Sequence, residues 1–200
     1  MLDVLRQACS AVSHVHSLGI VHRDIRLDNF LVTATHHDTG LVSIVLADFG
    51  LAHQLSSLDP TAVEALPERE LPKGPRTHIA PEVVKDAGFG QPKTVRVSYA
   101  ADVYILGGFM FEVLSGGKQP WHWASTTVVD KGVGCAQAQD KHLLDCPQAM
   151  ASVEVADEGK PPVVTELVEL MRQCLDRKPA NRPTMQAIVR ALEELENTFL

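Results

Sequence analysis

Apolar residues recur three or four positions apart from the start of the chain, at Leu2, Leu5, Cys9, Val12 and His16. That spacing predicts the buried face of a helix over 1–18. Gly19 follows and ends it, since glycine takes a positive φ at a helix terminus without steric cost. Two short apolar runs come next, Phe30-Leu31-Val32 and Ser43-Ile44-Val45-Leu46-Ala47. They predict a hairpin with strands at 30–33 and 43–47 and a turn at 34–40, where Asp38 and Gly40 supply the turn chemistry. From Ser56 to Gly74 no period is sustained, which reads as a loop. Residues 83–101, with Gly88, Gly90 and Pro92, read as a long link. Residues 100–115 are apolar on nearly every side, the mark of a buried core helix, and Gly116-Gly117 closes it. Ala, Gln, Asp and Gly dominate from about 123 to 160, with one short helix expected near 137–144. Pro161-Pro162 opens an amphipathic helix over 163–175 through Leu167, Leu170, Met171, Cys174 and Leu175. Thr184 then caps a last helix over 184–197. The pattern predicts a mainly α fold with a small β-hairpin.

Composition narrows the class. Two hundred residues with 45% apolar content make one domain with a real core. A net charge of −7 offers no basic field for nucleic acid or an acidic membrane. No apolar run approaches the ~20 residues that span a bilayer, and Met1-Leu2-Asp3-Val4-Leu5 starts an amphipathic helix rather than a secretory leader. Four cysteines, at 9, 135, 146 and 174, lack paired spacing, so reduced thiols in an intracellular, cytoplasmic protein are expected. Nine histidines, without Cys or carboxylates at ligand spacing, do not predict a zinc site.

The hairpin carries the candidate chemistry at its mouth. Asp24 and Asn29 precede its first strand and Asp48 follows its second. Two carboxylates and an amide oxygen are hard ligands that suit Mg²⁺, with a phosphate completing the shell.

The same residues carry a resemblance. His22-Arg23-Asp24, a basic Arg26, Asn29, then Asp48-Phe49-Gly50 and Ala80-Pro81-Glu82 stand in the order of the eukaryotic protein kinase signature. Asp102-Val103-Tyr104 with Gly107 resembles that family's central helix. Cys174-Leu175 with Pro179, Arg182-Pro183 and Thr184 resembles the ending found in tyrosine kinases and tyrosine-kinase-like serine/threonine kinases. The likeness covers residues 1 to about 122 and about 161 to 196. It implies a protein-kinase-like fold restricted to the C-terminal lobe: a partial domain over 1–200 with a catalytic loop at 22–29, an activation segment at 48–82 and an enlarged insertion at 123–160. No Gly-x-Gly-x-x-Gly and no strand of Val-Ala-Ile-Lys type occurs. The expectation is therefore that the chain begins inside a kinase domain and lacks the smaller N-terminal lobe.

The resemblance implies a role for each matching residue. Asp24 orients the substrate hydroxyl and accepts its proton, and Asn29 and Asp48 hold Mg²⁺. Arg26 stands where serine/threonine kinases carry a lysine that contacts the γ-phosphate of ATP; it keeps the charge on a planar fork of donors. Asp28 offers its carbonyl near the ribose, and Leu31 matches the floor of the adenine pocket. Arg23 binds a phosphate on the activation segment, where Ser56, Ser57, Thr61 and Thr77 are the available hydroxyls. His22 and Phe49 belong to a stacked apolar column, with Gly50 completing the second motif. Glu82 and Arg182 form a buried ion pair, and Asp102 accepts hydrogen bonds from the catalytic-loop backbone. Pro75 stands where serine/threonine kinases place a threonine, and His78 replaces a Tyr or Trp. Asp28-Asn29 favours the Ser/Thr branch, with Tyr the alternative. Two functions follow as expectations. One is a serine/threonine-protein kinase region, a transferase with ATP, Mg²⁺ and a protein substrate as partners, and inactive as this fragment alone. The other is a non-catalytic, pseudokinase-like binding or scaffold module.

Overall fold

The computed structural model describes residues 1–36, 38, 40–67, 79–86, 94–118, 144, 150, 153 and 161–199. Side chains at 36 and 84–86 are outside that description, and so are the helix expected near 137–144, apart from Leu144, and nearly all of the insertion.

The core forms around α3 (Tyr99–Leu114), which follows β6 (Thr94–Ser98) directly. Ser98 caps α3, its Oγ accepting from Ala101 N at 3.2 Å. Every residue from Ala101 to Glu112 is buried, and Leu106, Phe109, Met110 and Phe111 are almost wholly enclosed, as an all-round apolar helix requires. Around it stand α1 (Leu2–Ser17), α4 (Pro162–Cys174) and α5 (Met185–Phe199), while α2 (Pro81–Asp86) packs on β6. Leu5, Ala8, Cys9 and Val12 form the buried face of α1, which packs on α5 and on β3 (Leu41–Leu46). Gly19 ends α1 at φ 81°. Thr184 starts α5 as its sequence position predicts, its Oγ1 accepting from Ala187 N at 3.3 Å. Cys9 and Cys174 are buried free thiols; burial raises both pKa values, that of Cys174 to about 12.

Three antiparallel pairs complete the described structure. β1 (Ile20–Val21) pairs with β4 (His53–Gln54). β2 (Phe30–His36) pairs with β3, from Phe30↔Leu46 to His36↔Leu41. The hairpin is thus longer than its apolar runs, and Ala34, Thr35 and His36 belong to a strand rather than to the turn. A register irregularity between Val32 and Ala34 restores pairing where the apolar pattern lapses. The turn that remains uses Gly40 at φ 68°.

The third pair corrects the expectation of loop and link. β5 (Val63–Pro67) pairs with β6, from Val63↔Ser98 to Pro67↔Thr94. Val95 and Val97 point into the core while Thr94 and Arg96 face out, an alternation present in the sequence but too short to stand out from the polar stretches around it. Glu64 pins the approach to β5. Its carboxylate accepts from Ser56 N at 2.6 Å and Ser56 Oγ at 2.7 Å, and pairs with His53 Nε2 at 2.9 Å. These bonds, the Ser56 amide first, hold its pKa down at about 2. Tyr99 adds a tie by donating its hydroxyl to Ser57 O at 3.0 Å.

A close helix contact in this core sits at Gly107 of α3. A Cβ there would lie 2.7 Å from Leu175 Cγ and 3.0 Å from Cys174 Cβ. Gly107→Ala should therefore destabilise the domain by ~1–3 kcal/mol through overpacking. Thermal denaturation checks this; an unchanged melting temperature would mean that α3 and α4 are not packed this closely.

Candidate functional site

Segment 22–29 runs from β1 to β2 and is anchored by Asp102 of α3, which His16 of α1 also holds. Asp102, in the first turn of α3, is fully buried. Its Oδ2 accepts from His22 N at 2.6 Å and its Oδ1 from Arg23 N at 2.8 Å. His16, at the end of α1, reaches Oδ2 with Nε2 at 3.0 Å. A carboxylate only accepts, so Nε2 carries the proton. Near the N-terminus of a helix the negative charge is also favoured by the helix dipole. Arg23 adopts φ 71°, a conformation that non-glycine residues take when their surroundings enforce it. Its guanidinium donates to Leu51 O at 3.1 Å.

His22 ties this segment to the end of β3. Its Nδ1 accepts from Asp24 N at 3.3 Å, which leaves Nε2 to donate to Ala47 O at 3.1 Å. The Phe49 ring meets it edge-on, with centroids 4.8 Å apart. Phe49 itself is 46% exposed.

Asp24 and Asn29 are in direct contact. Asn29 Nδ2 donates to Asp24 O at 2.7 Å and to Asp24 Oδ2 at 2.9 Å. Both amide hydrogens are then engaged, so Oδ1 is the atom that Asn29 has left for a ligand. Ala47 N donates to Asn29 O at 2.8 Å, carrying the β2–β3 pairing to the residue before Asp48. Asp48 is exposed, stands at φ 61°, and accepts from Gly50 N at 3.2 Å. A Cβ on Gly50 would come within 3.1 Å of that carboxylate oxygen, so glycine keeps the approach open. Asp24, Asn29 and Asp48 thus lie at one end of the hairpin, as their sequence positions predict. Their oxygens suit a hard divalent cation. Among the described residues no cluster of three His, Cys, Asp or Glu side chains could hold a metal by itself, so the amide of Asn29 is needed in any such set.

The remaining candidates are distributed around this mouth. Arg26 pairs with the exposed carboxylate of Asp28. Leu31 lies on the outer face of the hairpin, 52% exposed and opposite Val45. Ser56, Ser57 and Thr61 lie between β4 and β5. Thr77, Pro75 and His78 fall outside the described residues. Sequence reasoning missed two residues. His16 reads as one more position on a helix face, although a buried imidazole needs a partner and could have been flagged on that ground. Glu112 of α3 is buried beside Arg26 and takes a bond from the Leu27 backbone; burial raises its pKa, and Arg26 opposes the shift.

Comparison with known proteins adds the family. A model of the protein kinase domain matches residues 1–192. The chain belongs to the protein kinase family. It is 28% identical over 197 residues to a protein of Acanthamoeba polyphaga mimivirus that is named as a serine/threonine-protein kinase, covering 98% of this chain and 57% of that one. It is 24% identical over 206 residues to the serine/threonine-protein kinase BIK1 of Arabidopsis thaliana, covering 99% and 45%. It is 30% identical over 198 residues to the ephrin type-B receptor 4b of Danio rerio, covering 98% and 16%. The chain therefore spans about half the length of the first two relatives and less of the third.

Within this kinase domain the Glu82–Arg182 pair is formed as expected. Arg182 NH1 and NH2 meet the two carboxylate oxygens of Glu82 at 2.7 and 2.9 Å. Arg182 also donates to Asp176 O and Ala100 O, both at 2.8 Å, and lies 4.9 Å from the centre of the Tyr104 ring. Burial pushes the Tyr104 hydroxyl up to about 12, against the lowering effect of Arg182. No helix among the described residues is long and apolar enough to cross a membrane.

Removing one partner of a buried pair leaves the other charge uncompensated, at a cost of ~3–5 kcal/mol. Arg182→Ala should lower the melting temperature far more than Asp48→Ala, since Asp48 is exposed. Equal melting temperatures for the two variants, measured without nucleotide, would contradict a buried pair.

Proposed function

We propose that this chain is a protein kinase catalytic region of C-terminal-lobe type that transfers the γ-phosphate of ATP to a protein hydroxyl, with Ser/Thr favoured over Tyr. The observation that carries the reading is the Asp24–Asn29 contact at 2.9 Å, at the hairpin end that also bears Asp48. Asp24 orients the acceptor hydroxyl and takes its proton as the oxygen attacks the γ-phosphorus and the bond to the bridging oxygen of ADP breaks. Asn29 Oδ1 and the Asp48 carboxylate are the atoms that would hold Mg²⁺, which neutralises phosphate charge when bound. Arg26 supplies a cation for the γ-phosphate once it exchanges Asp28 for the nucleotide. The Asp28 carbonyl serves the ribose and Leu31 the adenine. Arg23 is the receptor for a phosphate on segment 48–82, Thr77 included. Asp28-Asn29 supports the Ser/Thr branch, while the relatives carry names from both branches.

A second reading is a non-catalytic binding module. It is favoured by the apolar pair Leu31 and Val45, opposite each other and both exposed on the hairpin.

One experiment separates the two. Calorimetry with ATP should show binding that requires Mg²⁺, that is weaker than micromolar because no glycine-rich loop occurs in the sequence, and that Asp48→Ala abolishes. Any transfer of labelled phosphate to myelin basic protein should disappear in Asp24→Asn. No Mg²⁺-dependent binding, or binding indifferent to Asp48→Ala, would overturn the catalytic reading and leave the binding module.

A further inference from the structure

A cavity of about 350 Å³ lies between segment 58–63, the start of α3 and segment 179–186. Its size falls in the range of small-molecule sites. The β5–β6 pair builds it, by folding segment 58–63 across the start of α3 and the 179–186 segment. Leu58, Pro60, Val63, Val103 and Met185 give it mainly apolar walls, and the buried His16 also lines it.

Most polar side chains around it already have a hydrogen-bond partner. Arg182, the one cation among the described lining residues, is paired to Glu82 and to two carbonyls. The Tyr99 hydroxyl donates to Ser57 O, Ser98 Oγ accepts from Ala101 N, and Thr184 Oγ1 accepts from Ala187 N. Among the described lining residues, the exposed amide of Gln186 and one nitrogen of the buried His16 ring are the exceptions. His16 is 8% exposed, its Nε2 is held by Asp102, and its Nδ1 has no hydrogen-bond partner among the described residues. Nor is Nδ1 among the side-chain atoms fully enclosed without a partner. With the proton on Nε2, Nδ1 is a bare acceptor that calls for a donor from within the cavity.

We infer that this cavity binds a small, uncharged, largely apolar molecule that presents one hydroxyl or N–H to Nδ1 of His16. The apolar walls supply the binding energy, the pairing of Arg182 disfavours ions, and the buried Nδ1 acceptor sets the orientation. The site is distinct from the nucleotide site proposed above and does not depend on catalysis. It communicates with segment 22–29 because the same imidazole holds Asp102, which holds the His22 and Arg23 amides. A donor on Nδ1 stabilises the tautomer that keeps Nε2 donating, so occupancy should tighten that anchor.

The test uses 2-naphthol and its methyl ether, 2-methoxynaphthalene, which has the same ring system but no donor. Each is titrated into the full chain with ¹⁵N-labelled histidine and followed by NMR of the ring nitrogens. 2-Naphthol should bind saturably, with a Kd on the order of a millimolar or tighter, and should shift His16 Nδ1. The ether should bind roughly 3- to 10-fold more weakly, the loss expected for one hydrogen bond. Ala180→Trp, at an exposed residue of the lining, should fill the mouth and abolish binding with little change in melting temperature. Val63→Trp, at another exposed residue of the lining, provides the same test should that variant fold poorly. Absence of a saturable His16 shift, equal affinity for the two probes, or binding retained in a folded cavity-filling variant would each overturn the inference.

Discussion

The Asp102 carboxylate is the constraint on which the rest of the site depends. It is buried in the first turn of the helix that forms the core, and it satisfies the His22 and Arg23 amides together with the His16 ring. A buried carboxylate is tolerated only when its acceptor capacity is met, and buried amides only when they find acceptors. Each side of this arrangement therefore requires the other. The left-handed backbone of Arg23, a conformation worth ~1–3 kcal/mol of strain, is held by the same bonds. The residues beyond Arg23 inherit their positions from this anchor: Asp24 with Asn29, and, through His22 and Ala47, the start of the segment bearing Asp48.

The same end of α3 is fixed from the other side. Arg182 joins Ala100 O at the helix start to Glu82, and the β5–β6 pair ends at Ser98, the cap of that helix. Three separated parts of the sequence converge on one helix N-terminus, and the core behind it is close-packed. Beyond this anchor the polar residues differ in exposure: Asn29 is buried, Asp24 half-buried and Asp48 exposed.

Much of this was legible in the sequence because it is local. The helices over 1–18, 163–175 and 184–197 announce themselves by spacing, and α3 by being apolar all round. Asp24, Asn29 and Asp48 stand out as oxygen-bearing side chains flanking two apolar runs. The long-range features were hidden. Val63–Pro67 and Thr94–Ser98 are short, half-polar strands whose partner lies far away in the chain, so neither shows a pattern that competes with the loop reading. Ala34 to His36 carry no apolar run, yet hairpin pairing extends through them. His16 satisfied the helical period and so looked explained, although its function in the structure is to reach Asp102 rather than to fill the core.

The dependence of segment 22–29 on Asp102 is open to direct measurement. Native-state hydrogen exchange of the His22 and Arg23 amides in Asp102→Asn, compared with the parent chain, isolates it. Asparagine keeps the shape but has one oxygen acceptor, and its amide hydrogens would face one of the backbone donors. The account predicts that at least one of the two amides exchanges roughly 10-fold faster or more, while amides within α3 stay protected. Unchanged exchange at both His22 and Arg23 would contradict it.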